Sequence, residues 1–173
     1  MLETERLFLR NFEMKDKDDC FVFMSDEQTC LDDGGYHAFS EQDEMYQQIM
    51  EKFLNEKHRY MIVEKESSRV VGTVNVMIPE DSEQIASIGY VVSPQSRRMG
   101  YASEAVREVI GHYFENTQIN KFLATSFLYN QASIKVLQKL GFTCDGVIEM
   151  EIEHAELGKL DLLSYHLDSR AEK

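Results

Sequence analysis

Apolar residues change their spacing repeatedly along this chain, and each change marks an element. Arg6–Asn11 is a short β-prone run with Leu7, Phe8 and Leu9 between charges. Residues 15 to 25 carry a mixed helical spacing that turns Phe21 and Met24 inward. The stretch 26 to 40 reads as a loop from its turn chemistry, Asp32, Asp33, Gly34 and Gly35. Ser40 before Glu41, Gln42 and Asp43 is a capping arrangement for a helix to about Asn55, with Met45, Ile49, Met50 and Phe53 on its apolar face. Three strands follow: Tyr60–Glu64, Arg69–Ile78 with Gly72 as a bulge position, and Ile85–Val92. Residues 65 to 68 form the polar hairpin loop between the first two. Gly100–Phe114 is the best helix, with Ala102, Ala105, Val106, Val109 and Ile110 on one side. Ile119–Phe127 reads as a strand, and Ser133–Leu140 as a helix stopped by Gly141. Val147–Glu153 and Leu160–Leu167 are the closing strands. With no repeat or linker in sight, the pattern describes one α+β domain over residues 1–173, antiparallel strands first and a β-α-β unit later.

Composition narrows the class. Hydrophobic residues make up 43% of 173, with two prolines, enough for a sizeable core and against disorder. Eighteen basic against thirty-one acidic residues give a net charge of −13, which speaks against a nucleic-acid partner. The acidic surface serves solubility first and attraction of cationic amines second. Cys20, Cys30 and Cys144 form no Cys-x-x-Cys pair, so neither a disulfide framework nor a zinc site is expected. His37, His58, His112 and His166 lack metal-ligand spacing, so no metal is expected either. Acidic residues scattered from Glu3 to Asp19 rule out a signal-peptide core, and no apolar run approaches the ~20 residues of a membrane span. The expectation is a cytoplasmic protein with no membrane partner. Open strand edges and the closing hairpin leave a homodimer possible.

Chemistry concentrates between Ile88 and Ala102. There an apolar strand runs into a turn with Arg97, Arg98, Met99 and Gly100, and the turn opens a helix at Tyr101 and Ala102. A strand end, a glycine and fresh helical N–H groups make a seat for a pyrophosphate, and the arginines add charge. Neither the Gly-x-x-x-x-Gly-Lys nucleotide loop nor the Gly-x-Gly-x-x-Gly fingerprint is present. Taken alone the turn is equally a plain strand-to-helix connection. A second element lies one strand downstream, where Asn130, Ser133, Gly141 and Phe142 punctuate a short helix. Asn130 also reads as a simple N-cap.

Together these segments resemble the Gcn5-related N-acetyltransferase (GNAT) superfamily, and most of all its ribosomal-protein N-terminal (Rim-type) acetyltransferase branch. Thr4 to Arg10 is similar to that branch's opening strand, Ile88 to Pro94 to its central strand, and Arg97 to Ala102 to its acetyl-CoA pyrophosphate loop. Glu104-Ala105 resembles the continuation into the helix, Asn130, Ser133 and Gly141-Phe142 the second coenzyme motif, and Asp161 to Tyr165 the closing strand. The resemblance implies a three-layer α/β/α sandwich. Its mixed, mostly antiparallel sheet would splay beside the strand ending near Val92, with helices on both faces. It further implies that Val91 and Val92 offer backbone groups to the pantetheine arm and acetyl carbonyl. The amides of Arg97, Arg98, Met99, Gly100, Tyr101 and Ala102 would hold the pyrophosphate, and Asn130 would contact the coenzyme arm.

The implied reaction is direct transfer of acetyl from the cosubstrate acetyl-CoA to an amine: a protein N-terminus, a polyamine or a small molecule. Much of the superfamily places a thiolate-protonating tyrosine seven residues past the asparagine, where this chain has Leu137. The ribosomal-protein branch is similar in carrying a serine at the position of Ser133, three residues past Asn130, and the resemblance implies Ser133 as the thiolate's partner and general acid instead. A glutamate often precedes the Ile-Gly-Tyr triplet in this branch, where this chain has Ser87. Glu83, Glu149, Glu151, Glu153 and His154 remain chemically open as bases, and none is singled out. The same departures keep a second reading open, a catalytically silent acyl-CoA-binding regulatory module. For the acceptor, Asp32, Asp33 and Tyr36 suit an ammonium group as well as an ordinary polar loop.

Overall fold

A computed structural model describes residues 1–169, apart from the side chains of Met150 and Glu151. Among these described residues, eight strands form one sheet in the order β1-β2-β3-β4-β5-β6-β8-β7. They are β1 (Leu2–Glu3), β2 (Leu7–Arg10), β3 (Arg59–Glu64), β4 (Val70–Met77), β5 (Ile85–Val92), β6 (Lys121–Phe127), β7 (Thr143–His154) and β8 (Gly158–Asp168). Five α-helices cover it: α1 (Lys17–Met24), α2 (Glu27–Gly34), α3 (Glu44–Asn55), α4 (Tyr101–Asn116) and α5 (Gln131–Leu140). All neighbouring pairs are antiparallel except β5 and β6, which α4 joins by a crossover.

Strand alternation sends side chains into two cores. Leu9, Ile62, Val74, Ile88 and Phe122 face α4 and α5, packing with Val106, Val109 and Leu137. Phe12, Met61 and Val63 face the other way, against Phe23 of α1 and Met50 and Phe53 of α3. The register of β3 on β4 shifts between Ile62 and Val63, which face Gly72 and Val70. Val71 is the extra residue of this bulge, and beyond it Val70 turns into the second core while Val71 stays in the first. Glycine is needed beside it: a Cβ on Gly72 would lie 2.2 Å from the Val91 carbonyl oxygen.

Two sequence expectations fail here for local reasons. The segment read as a loop holds α2, because Asp26 caps it by accepting from the Thr29 amide (2.9 Å) and Gly35 closes it in the left-handed conformation. The Asp-Asp-Gly-Gly run was thus a helix end. The next helix starts at Glu44, not after Ser40, because Asp43 is the cap that accepts from the Tyr46 amide (2.9 Å). That later start turns Tyr46, Met50 and Phe53 inward and leaves Met45 exposed.

Candidate functional site

The sheet opens between β5 and β6. They pair in parallel only from Ile85–Lys121 to Ser87–Leu123, and beyond that point they part. A cleft of about 750 Å³ occupies the gap, with Tyr90, Val92, Asn130 and Ser133 toward one side and Asp33, Arg59 and Thr73 toward the other. Alternate residues of a ladder turn their amide and carbonyl to the same neighbour. The Ser93 N–H to Val71 carbonyl bond (2.8 Å) sets the phase on β5. Tyr90 and Val92 therefore aim their backbone groups into the opening, while Val91 spends its own on Thr73 of β4. Val91, expected to offer its backbone groups to the coenzyme arm, thus turns them to β4, and Tyr90 faces the opening instead.

The turn beyond β5 is shaped by two left-handed residues, Arg98 (φ 64°) and Gly100 (φ 84°). Gly100 is the N-terminal boundary of α4, and no side chain caps the helix there, so its first amides face outward uncapped. Arg6 holds the turn from behind. It donates to the Met99 carbonyl (2.9 Å), pairs with Glu104 (2.6 Å) and lies over the Tyr101 ring. The Tyr101 side chain is buried and donates its hydroxyl to Glu64, so only its backbone belongs to the turn. Arg97 and Arg98 both border the cleft. Arg97 is not a free charge: it donates to the Thr29 hydroxyl (2.5 Å) and lies 3.4 Å from Asp26, both at the start of α2. A shallower recess of about 300 Å³ beside Gly100 is bordered by Arg107 and Lys139.

Asn130 is the N-cap of α5, accepting from the Ser133 amide (3.0 Å), and its own amide donates to the Asp32 carbonyl (3.3 Å). Ala102 and Ser133 border the cleft, whereas Leu137 is fully buried. The Ser133 hydroxyl sits 3.1 Å from the Tyr90 hydroxyl, which also reaches the Ser133 carbonyl (3.2 Å). Burial pushes the Tyr90 phenol up to about 12, so it keeps its proton at neutral pH. Of the open bases, Glu83, Glu149 and Glu153 are exposed away from the cleft, and the Glu151 side chain lies outside the described residues. His154 is buried; its Nδ1 accepts from the Glu156 (3.2 Å) and Leu157 (3.1 Å) amides, so Nε2 carries the proton and donates to Tyr129 (2.9 Å). It is a structural histidine. Asp33 borders the cleft and accepts from Tyr36 (2.8 Å). Desolvation raises its carboxyl above the ordinary range, against the lowering pull of Tyr36 and Arg59. Sequence reasoning missed Arg6, Tyr90 and Thr73. Arg6 had a signal, since it lies in the opening-strand motif and a partner, Glu104, follows the basic turn.

The family model described as Acetyltransferase (GNAT) domain matches residues 6–143. Among curated relatives, the uncharacterized N-acetyltransferase p20 of Bacillus licheniformis is 30% identical over 172 residues, 98% of this chain and 96% of that protein. Solved structures that share the fold include two acetyltransferases of Vibrio. The ribosomal-protein-S5-alanine acetyltransferase from Vibrio fischeri has a TM-score of 0.79 at 19% identity, covering 99% of this chain and 97% of its own. The spermidine N-acetyltransferase from Vibrio cholerae, solved with CoA and spermine, has a TM-score of 0.80 at 14% identity, covering 96% and 97%.

Proposed function

The chain belongs to the GNAT acetyltransferase family, and from that premise we propose that it moves an acetyl group from acetyl-CoA directly to a primary amine in the cleft between β5 and β6. The observation that carries this reading is the conjunction at the split: free backbone groups at Tyr90 and Val92, uncapped amides at the start of α4, and a hydroxyl pair at Ser133 and Tyr90. The residues fit the cosubstrate. Val92 and Tyr90 can hydrogen-bond an extended amide-bearing arm as a missing strand would. The α4 amides and Arg98 suit a pyrophosphate, and Arg107 and Lys139 suit further phosphate.

The chemistry follows from these positions. The amine must arrive unprotonated, and its lone pair attacks the thioester carbonyl carbon. As the C–S bond breaks, its electron pair moves to sulfur. Ser133 Oγ donates a hydrogen bond to that sulfur and stabilises the departing thiolate, while Tyr90, whose hydroxyl donates to the Ser133 carbonyl (3.2 Å) and lies 3.1 Å from Oγ, holds the serine in place. The amine's surplus proton leaves on its side of the cleft, through water or a carboxylate there.

Thiol release measured with a panel of amines tests this. Ser133→Ala should lower kcat on the order of 10²-fold with acetyl-CoA affinity unchanged, and Tyr90→Phe should lower it less. An unchanged kcat in Ser133→Ala would remove Ser133 from the chemistry. Acetyl-CoA binding without turnover of any amine would favour the silent regulatory module.

A further inference from the structure

Thr73 is 5% exposed, it borders the cleft, and its hydroxyl has no hydrogen-bond partner among the described residues. A buried hydroxyl left unpaired has lost its water without compensation, so a partner is expected in the working protein. The surroundings indicate its chemistry. Thr73 faces Val91 across the sheet, and the neighbouring row runs from Arg59 of β3 through Asn75 of β4 to Gly89 of β5. Gly89 lies on the strand that opens from β6, and a Cβ there would meet nothing within 4 Å. That face of the sheet is therefore free of side chain beside the split and polar next to it.

Arg59 is held rigidly on one side only. Its Nε donates to Glu56 (2.5 Å) and its guanidinium carbon lies 4.0 Å from the centre of the Phe53 ring. Its terminal amino groups have no other hydrogen-bond partner among the described residues. On the same side of the cleft, Asp33 has a hydrogen bond from Tyr36 and no ion-pair partner among the described residues. The Asn130 amide bound to the Asp32 carbonyl ties this carboxylate to the coenzyme side.

We propose that this half of the cleft recognises an amine bearing a carbonyl or carboxylate oxygen a few bonds from its nitrogen. Asp33 holds the ammonium, and Thr73, Asn75 and Arg59 donate to the oxygen. A bare polyamine fits poorly, because it would bring positive charge toward Arg59 and leave the Thr73 hydroxyl and the Arg59 amino groups unmet. The proposal rests on the acetyltransferase reading and names the acceptor class for it.

The test is a thiol-release comparison of leucine, a short peptide with a free N-terminus, and spermidine, run with the wild type, Thr73→Val and Arg59→Gln. The carbonyl-bearing amines should exceed spermidine at least ~10-fold in kcat/KM, in line with the discrimination an unmet polar site imposes. Thr73→Val should raise their KM roughly 5–20-fold and leave the acetyl-CoA KM alone. Because the change removes an orphan hydroxyl without changing shape, its Tm should hold or rise, which separates recognition from folding. Preference for leucine identifies the oxygen as a carboxylate, and preference for the peptide identifies an amide carbonyl. Turnover best with spermidine, or acceptor KM values untouched in both variants, would overturn the proposal while leaving the acetyltransferase reading in place. Failure of acetyl-CoA to bind at all would remove both.

Discussion

Arg6 and Glu104 join the first strands to the turn before α4, although 98 residues separate them. Glu104 accepts from the Thr4 hydroxyl (2.5 Å), the Arg6 backbone amide (3.1 Å) and the Arg6 guanidinium, which in turn holds the Met99 carbonyl. Desolvation alone would raise the Glu104 carboxyl, but the hydrogen bonds from Thr4 and Arg6 together outweigh it and leave it below the ordinary value. A carboxyl depressed on folding contributes stability that is present above its unfolded pKa and fades as pH falls through the folded one. Glu104→Gln should therefore cost about 1 kcal/mol at neutral pH, a figure already reduced for solvent around Arg6. Urea unfolding should show that difference shrinking below about pH 4, near the unfolded glutamate value. A gap that stays constant with pH would assign the loss to packing instead of charge.

At the scale of elements, α2 is the piece that connects the turn before α4 with the side of the cleft that holds Asp33. Arg97 of the turn grips its start through Thr29 and Asp26. Its end is held by Tyr129 donating to the Leu31 carbonyl (3.0 Å), by Asn130 on the Asp32 carbonyl, and by the Ala155 amide on the Gly35 carbonyl (2.7 Å). Movement of the turn is thus felt by Asp33. Replacing Arg97 with alanine should raise KM for both acetyl-CoA and the amine, each roughly 3–10-fold by loss of charge-assisted bonds. Arg98→Ala should raise only the acetyl-CoA KM. Steady-state kinetics with each substrate varied would expose the difference, and identical patterns in the two variants would mean that the tie to α2 is idle.

For the molecule as a whole, one sheet serves two cores, so neither can lose its packing without disturbing the strands that the other uses. Met50 and Leu137 are fully buried in opposite cores. Truncating either to alanine should cost about 2–5 kcal/mol. Calorimetry should still record a single transition, lowered in both variants. Two resolved transitions would show that the cores melt separately.

Much of this was legible in the chain. Periodicity located all the strands longer than two residues and four of the five helices, because burial on one face leaves a spacing that survives in sequence. The turn with Gly100, together with Asn130, was legible as a motif because a left-handed glycine and an N-cap are set by local backbone geometry. The missing helix, α2, was hidden by a cap and a terminating glycine whose residue types also make loops. Partners distant in sequence left weaker traces. Which of Tyr90, Val91 and Val92 faces the opening depends on ladder phase, and the orphan hydroxyl of Thr73 depends on what β5 and α2 leave uncovered. Arg97 had every sign of a free charge until folding brought Thr29 and Asp26 against it. The proposed coenzyme side rests on local motifs, whereas the proposed acceptor side is assembled from β3, β4 and α2, and exists only once the sheet has formed.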